Sequence, residues 1–302
     1  IFMENIKDYS FRWRWNMVND FRPQSIESSG IKSYPTANYV NYYGMQNGYP
    51  INDMTKADAE SGYDPTHPWK NRDPRFYKTI MFDGVKWRNT GGAGGTAELF
   101  TGGRESEEAN EKKGCFTAYM NSKLCPQLMN TFDGYKENNI MILSLMRLAD
   151  VYLMYAEATA VGYNSPKGKA ATYSLTAEEA LNKIRERAGV APVLEKFLGS
   201  TADFLSELRR ERAVELSFEG FRFTDLRRWM LLTQYPYTLK TKIEFDRADP
   251  NNYNYDAPEE NAIKNLREVV LIERKYTDRH YWYPLPKKDV SMYEGFYQNP
   301  GW

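Results

Sequence analysis

The chain has 302 residues, enough for one large core or two lobes. Lys plus Arg number 40 and Asp plus Glu number 40, so the net charge is zero; a chain that coats nucleic acid is usually basic, and no nucleic-acid partner is expected here. Two His and two Cys are too few for a zinc-type ligand set, and no run nears the about 18 apolar residues of a membrane-spanning helix. Aromatic content is high, with 23 Tyr, 15 Phe and 7 Trp; Tyr couples an apolar face to a polar edge, a profile that suits binding surfaces as well as cores.

The opening IFMENI reads as a strand already under way. Because Ile1 is not a natural start, the chain is expected to be the later part of a longer protein. Residues 1–145 read as a loop-rich lobe with short strands and a candidate ligand-binding surface. Turn signals are dense there, among them Asn47-Gly48, Asp64-Pro65, Asp73-Pro74 and Asp83-Gly84. Phe76 to Phe82 is expected to be a short strand. Trp69 and Trp87, flanking the Asp73-Pro74 turn, are expected in the core. The glycine-rich run from Thr90 to Gly103 lacks the Gly-Lys-Ser/Thr of a phosphate loop, so a mobile loop is expected. The charged segment Arg104 to Lys113 is expected to be solvated. Cys115 and Cys125 are either free thiols or one loop-closing disulfide.

Residues 146–234 read as a helical core. Leu148, Val151, Tyr152, Tyr155 and Thr159 line one helical face; Ala149, Leu153, Ala156 and Ala160 line a second, small-residue face that permits close approach. Gly162 and Pro166 end this helix. A second helix opens with the capping box Thr176 to Glu179, buries Ala177, Leu181, Ile184 and Ala188, and stops at Gly189. The pair resembles a tetratricopeptide unit.

Asp203 to Trp229 predicts two more helices with a break at Gly220. Glu207, Glu211, Glu215 and Glu219 recur every four residues, stacked on one face with Phe204, Leu208 and Phe218. Carboxylates among large apolar side chains sit half-buried and need partners. A structural ion-pair network is therefore expected, joining Glu211, Glu215 and Glu219 to Arg212, Arg222, Arg227 and Arg228. The competing reading is a catalytic carboxylate pair, which a forking Arg opposes by pushing the carboxyl pKa down. Residues 235–302 read as loops closing the fold, with short strands at 269–273 and 281–285. No firm domain boundary is visible.

Five motifs in order give the chain a family resemblance. They are Tyr34-Pro35-Thr36 with Asn47-Gly48; Asp73-Pro74-Arg75; the helix Arg147 to Glu157; the Glu/Arg stretch through Asp225-Leu226-Arg227-Arg228-Trp229; and Tyr283-Pro284-Leu285-Pro286 with Gln298-Asn299-Pro300-Gly301-Trp302. Together they resemble the SusD/RagB family, cell-surface nutrient-binding lipoproteins, and specifically its C-terminal part. The resemblance implies a mostly α fold in which tetratricopeptide-like helical pairs pack against the loop-dominated lobe. It implies capture of oligosaccharides, or in some members peptides, for a SusC-like TonB-dependent transporter, without covalent chemistry. It implies the extracellular face of the outer membrane, with attachment only through a lipid anchor on the missing N-terminal segment.

Sugar rings present apolar C–H faces and hydroxyl edges, which aromatic planes and polar side chains match. Two ligand-binding clusters fit that chemistry. In one, Trp13 and Trp15 alternate with Arg14 and precede Asn16, so both indoles of a strand would face one way; the competing reading packs them inward. The other gathers Tyr39, Tyr42 and Tyr43 near Asn38 and Asn41. No cofactor is expected, although the oxygen-rich tract Asp246 to Asp256 leaves calcium open. Three alternatives stand beside glycan capture: peptide capture, a helical-repeat scaffold for protein partners, and a glycoside hydrolase using loop acids such as Asp53, Asp64 and Asp73.

Overall fold

The computed structural model describes residues 2–3, 23–24, 34–51, 58–90, 92–125, 130–134 and 144–302. The fold is mostly helical with short strands. In chain order come β1 (Phe2–Met3), α1 (Ala37–Val40), α2 (Pro74–Thr79), β2 (Ile80–Met81), β3 (Met120–Asn121) and β4 (Ser144–Met146). The helices α3 (Leu148–Gly162), α4 (Ala177–Ala188), α5 (Thr201–Glu215) and α6 (Phe221–Arg228) follow. Last are the strands β5 (Leu239–Arg247) and β6 (Ile263–Glu273) and the short helix α7 (Lys287–Val290).

The helical part is held by small residues and good caps. Thr176 and Glu179 form the reciprocal capping box of α4, worth about 1 kcal/mol, and Gly189 closes that helix in the left-handed conformation at φ 74°. Ser200 caps α5 by accepting from the Asp203 amide at 3.1 Å. Ala156 and Ala160 of α3, Ala177, Ala180 and Leu181 of α4, and Phe204 and Leu208 of α5 share one core. The Ala face of α3 is thus its packed face. Leu148 and Val151 on the other face are 61% and 43% exposed, so that face is only partly covered.

A second core is rich in aromatic rings. Trp69 stacks on Phe82 with centroids 5.0 Å apart, Phe76 stacks on Phe82 at 5.2 Å, and Phe245 meets Trp69 edge-on at 5.2 Å. Such pairs add about 0.5–1.5 kcal/mol each beyond their area burial. Val214, near the end of α5, belongs to this second core. One helix therefore serves both cores, burying apolar groups against α3 and α4 at its start and in the aromatic core at its end.

Four local expectations differ from what is observed. Phe76 to Phe82 is mostly helix: the Asp73 carboxylate accepts from the Arg75 amide at 2.9 Å and Pro74 takes the first helical position, so Asp73-Pro74 starts α2. The glycine-rich run is packed, with Ala97 and Leu99 buried; a Cβ on Gly95 would fall 1.8 Å from the Thr90 carbonyl oxygen, so only Gly fits. Glu105 and Ser106 are buried within the segment expected to be solvated. The break expected at Gly220 is there, with Gly220 capping α6 at φ 87°, but it opens earlier: α5 ends at Glu215, and Phe218 within the break takes φ 59° with its ring 6.1 Å from that of Tyr39.

The clearest departure lies beyond Thr233. β5 and β6 form a long antiparallel hairpin, with Thr241 opposite Val270 and Ile243 opposite Glu268. Thr241, Ile243, Phe245 and Arg247 point inward and cover the aromatic core. The segment 281–285 forms no strand; it follows a short 3-10 turn at Asp278–Tyr281.

Candidate functional site

The glutamates of α5 are buried, with Glu207 and Glu211 each 1% exposed and Glu215 4% exposed. Their partners come mostly from other elements. Arg185 of α4 donates to Glu211 at 3.0 Å and to Glu207. Arg75 of α2 donates to Glu211 at 2.5 Å, to Glu215 at 2.9 Å and to Asp73 at 2.7 Å. Glu215 also accepts from Arg147 at 2.5 Å and Arg187 at 2.6 Å. Glu219 accepts from Arg147 at 2.7 Å and Lys123 at 2.6 Å. Burial pushes the Glu211 carboxyl up, but the guanidinium charges of Arg75 and Arg185 outweigh it and hold the pKa at about 2. The same contest holds Glu207 below the usual range, through Arg210 and Arg185, and Glu219 below it, through Arg147 and Lys123.

Of the arginines expected in this network, Arg212 and Arg228 do bind acids. Buried Arg212 bridges Asp150 of α3 at 2.8 Å and Asp225 of α6 at 3.0 Å, tying three helices together. Arg228 pairs with Glu157 at 2.6 Å and Asp225 at 2.8 Å. Arg227 instead donates to the Tyr281 carbonyl, and its guanidinium lies 4.2 Å from the Tyr283 ring centroid. Arg222 meets no carboxylate among the described residues; it stacks over Tyr42 at 4.8 Å and Tyr237 at 5.6 Å. The reason is placement: α6 turns Arg222 away from the glutamates, whose charges are already met by Arg75, Arg147, Arg185 and Arg187.

That stacking marks a cavity of about 740 Å³, within the usual range for small-ligand sites. Its wall includes Asn41, Tyr42, Arg209, Arg222, Tyr235 and Tyr237. Tyr235 is 75% exposed at the rim. The charged network reaches this wall through Arg210, which binds Glu207 and donates to the backbone carbonyls of Tyr42 at 3.1 Å and Gly48 at 3.2 Å. A Cβ on Gly44 would lie 2.8 Å from Arg210 Nη1 and 2.4 Å from the Tyr49 carbonyl oxygen, so Gly44 gives this arginine its passage. Asn38 ties the wall to β5: its side-chain amide donates to the Leu239 carbonyl at 2.8 Å, and its backbone N–H donates to the Thr241 hydroxyl oxygen at 2.8 Å. Asn41 Oδ1, Arg209 Nε and Arg222 Nη1 are buried without hydrogen-bond partners.

The tyrosine cluster divides three ways. Tyr42 lines the cavity. Tyr39 donates its hydroxyl to the Ala213 carbonyl at 2.6 Å and meets Tyr42 edge-on at 5.8 Å, behind it. Tyr43 is fully buried, its hydroxyl donating to Ser217 at 2.7 Å; it is a core residue with no surface to offer a ligand. Trp13, Arg14, Trp15 and Asn16 lie outside the described residues, as does Asp53.

The other acids considered for catalysis are engaged elsewhere. Asp73 caps α2 and binds Arg75, while Asp64 is tied to Thr66 and His67. In the tract considered for calcium, Asp246 accepts from Asn265 at 2.8 Å and Asp249 caps a turn at Asn251 and Asn252. Among the described residues no three His, Cys, Asp or Glu side chains gather as a metal site. No disulfide joins Cys115 and Cys125, and burial pushes the Cys115 thiol up to about 11.

A profile of the SusD family matches residues 1–302. Among solved structures, a SusD-like protein of Bacteroides fragilis is 23% identical over 89% of this chain and 47% of its own, with a TM-score of 0.65. A SusD-like carbohydrate-binding protein, also of Bacteroides fragilis, is 18% identical over 91% of this chain and 50% of its own, with a TM-score of 0.57. The chain thus spans about half the length of the structures it matches. No curated protein matches the sequence. No helix among the described residues is long and apolar enough to cross a membrane.

Proposed function

The chain belongs to the SusD family, and from that premise we propose that it captures oligosaccharides at the outer face of the outer membrane and passes them to a SusC-like TonB-dependent transporter, held to the membrane by a lipid anchor. The ligand seat is the cavity walled by Tyr42, Tyr237 and Arg222. The observation that carries this reading is the composition of that wall: aromatic planes suited to sugar C–H faces stand beside Asn41, Arg209 and Arg222, suited to hydroxyl edges. The wall is also preorganised. Arg210 pins the Tyr42 backbone and Arg222 stacks between two tyrosines, so little ordering remains when a ligand arrives.

The reading is one of binding without covalent chemistry. A glycoside hydrolase needs one carboxyl whose pKa is raised to serve as acid. The glutamates of α5 are bound by guanidinium groups, and Glu207 and Glu211 are held below the ordinary carboxylate range. Calorimetric titration with panels of oligosaccharides and of peptides tests the reading. Binding of at least one oligosaccharide, unchanged after prolonged incubation, is the expected result. Binding of peptides alone, or turnover of a bound glycan, would overturn it.

A further inference from the structure

The cavity wall holds positive charge that no described carboxylate neutralises. Arg222 and Arg209 make no ion pair with a described carboxylate, and each has a buried guanidinium nitrogen without a hydrogen-bond partner. The other arginines of α5 and α6 are engaged: Arg210 by Glu207, Arg212 by Asp150 and Asp225, Arg228 by Glu157 and Asp225, and Arg227 by the Tyr281 carbonyl. The acids of the wall are engaged as well. Glu207 is held by Arg185 and Arg210, Asp203 accepts from the Ser200 hydroxyl at 2.6 Å, and Glu268 accepts from the Thr241 hydroxyl at 2.5 Å. Lys196 is matched by Asp58 at 3.1 Å. Next to Arg222, Lys240 of β5 is pushed down to about 8, by burial first and then by the charges of Arg274 and Arg222.

A guanidinium half removed from water with no counter-charge is unfavourable, and folds tolerate such a group mainly where a ligand completes it. Resting on the reading of this cavity as the glycan seat, we infer that its ligand supplies the missing negative charge: the sugar bound there is a uronic acid, its carboxylate facing Arg222 while its ring lies along the Tyr42 and Tyr237 surface. Arginine suits this task, since its planar fork matches a carboxylate in two parallel hydrogen bonds. Stacking on the two tyrosines holds the fork in place before the ligand arrives.

The test is a set of paired titrations. Oligomers of galacturonan, alginate, glucuronoxylan and hyaluronan are each compared with their carboxyl-reduced, neutral counterparts. At least one acidic oligomer is expected to bind about tenfold or more tighter than its neutral twin, and to weaken as salt rises. Arg222→Gln should weaken the acidic oligomer by about tenfold more than its neutral twin and so remove most of that preference; Arg222→Lys, which keeps the charge, should retain part of it. Thermal melts of both variants report whether the fold is intact. Equal binding of acidic and neutral twins, or an acidic preference that survives Arg222→Gln, overturns the inference and leaves glycan capture standing. Binding of peptides through a free carboxylate, with no glycan bound, overturns both.

Discussion

Replacing Glu211 probes the charged hub where it is most enclosed. Its carboxylate is 1% exposed and receives Arg75 at 2.5 Å and Arg185 at 3.0 Å. Glu211→Ala removes two charge-assisted hydrogen bonds, at about 1.5–3 kcal/mol each, while Glu207, Asp73 and Glu215 remain to hold the two arginines. A loss of about 3–5 kcal/mol follows, the usual cost of breaking a buried pair. Proton linkage gives a similar figure: a carboxyl moved from 4.5 unfolded to about 2 folded contributes about 3 kcal/mol. Because the folded pKa is the lower one, that contribution is complete above pH 4.5 and fades as pH falls towards 2. Urea unfolding followed by circular dichroism reads the difference in midpoint at pH 7 and at steps below pH 4.5. Glu211→Gln, which keeps the shape and removes the charge, should follow the same pH course. A loss under about 1 kcal/mol at pH 7, or a gap between wild type and variant that widens in acid, would refute the reasoning.

Arg212→Met should cost about 3–5 kcal/mol in the same assay, because Asp150 would stay buried without its cation and Asp225 would keep Arg228 alone; a loss under about 1 kcal/mol would show the bridge between the helices to be idle. Thr176→Ala should cost about 1 kcal/mol by opening the capping box of α4, and a thermal melt unchanged from wild type would show the cap to be idle. Gly44→Ala should weaken glycan binding as well as stability, since the added methyl displaces Arg210 from the Tyr42 carbonyl; a loss of stability with unchanged affinity would sever the proposed link between hub and cavity.

Much of the helical part was legible because its signals are local. The capping box at Thr176, the stop at Gly189 and the four-residue spacing of the α5 glutamates each rest on residues close in sequence. The partners of those glutamates were not legible in that way. Arg75, Arg147, Arg185 and Arg187 come from α2, α4 and the turn before α3, and only folding brings them to α5; Arg75 and Arg147 do sit inside the motifs that carry the family resemblance. β5 was missed because two of its four inward side chains, Thr241 and Arg247, are polar. Arg247 can face inward only because Asp83, distant in sequence, receives it at 2.7 Å and Tyr253 lies 3.9 Å from its guanidinium. The cavity followed the same rule: Tyr42 stood out in an aromatic cluster, whereas Tyr237 and Arg222 gain meaning only from the stacking that joins the turn after α1, α6 and the loop before β5.

The double variant Tyr42→Ala with Tyr237→Ala bears on capture at this cavity most directly. It removes both ring surfaces and the stacking that holds Arg222, yet leaves the buried hub untouched. Titrated calorimetrically beside wild type with the best-bound oligosaccharide, it should lose affinity by about a hundredfold or more while melting within a few degrees of the parent. Wild-type affinity in a folded double variant would contradict the account and place the ligand elsewhere on the chain.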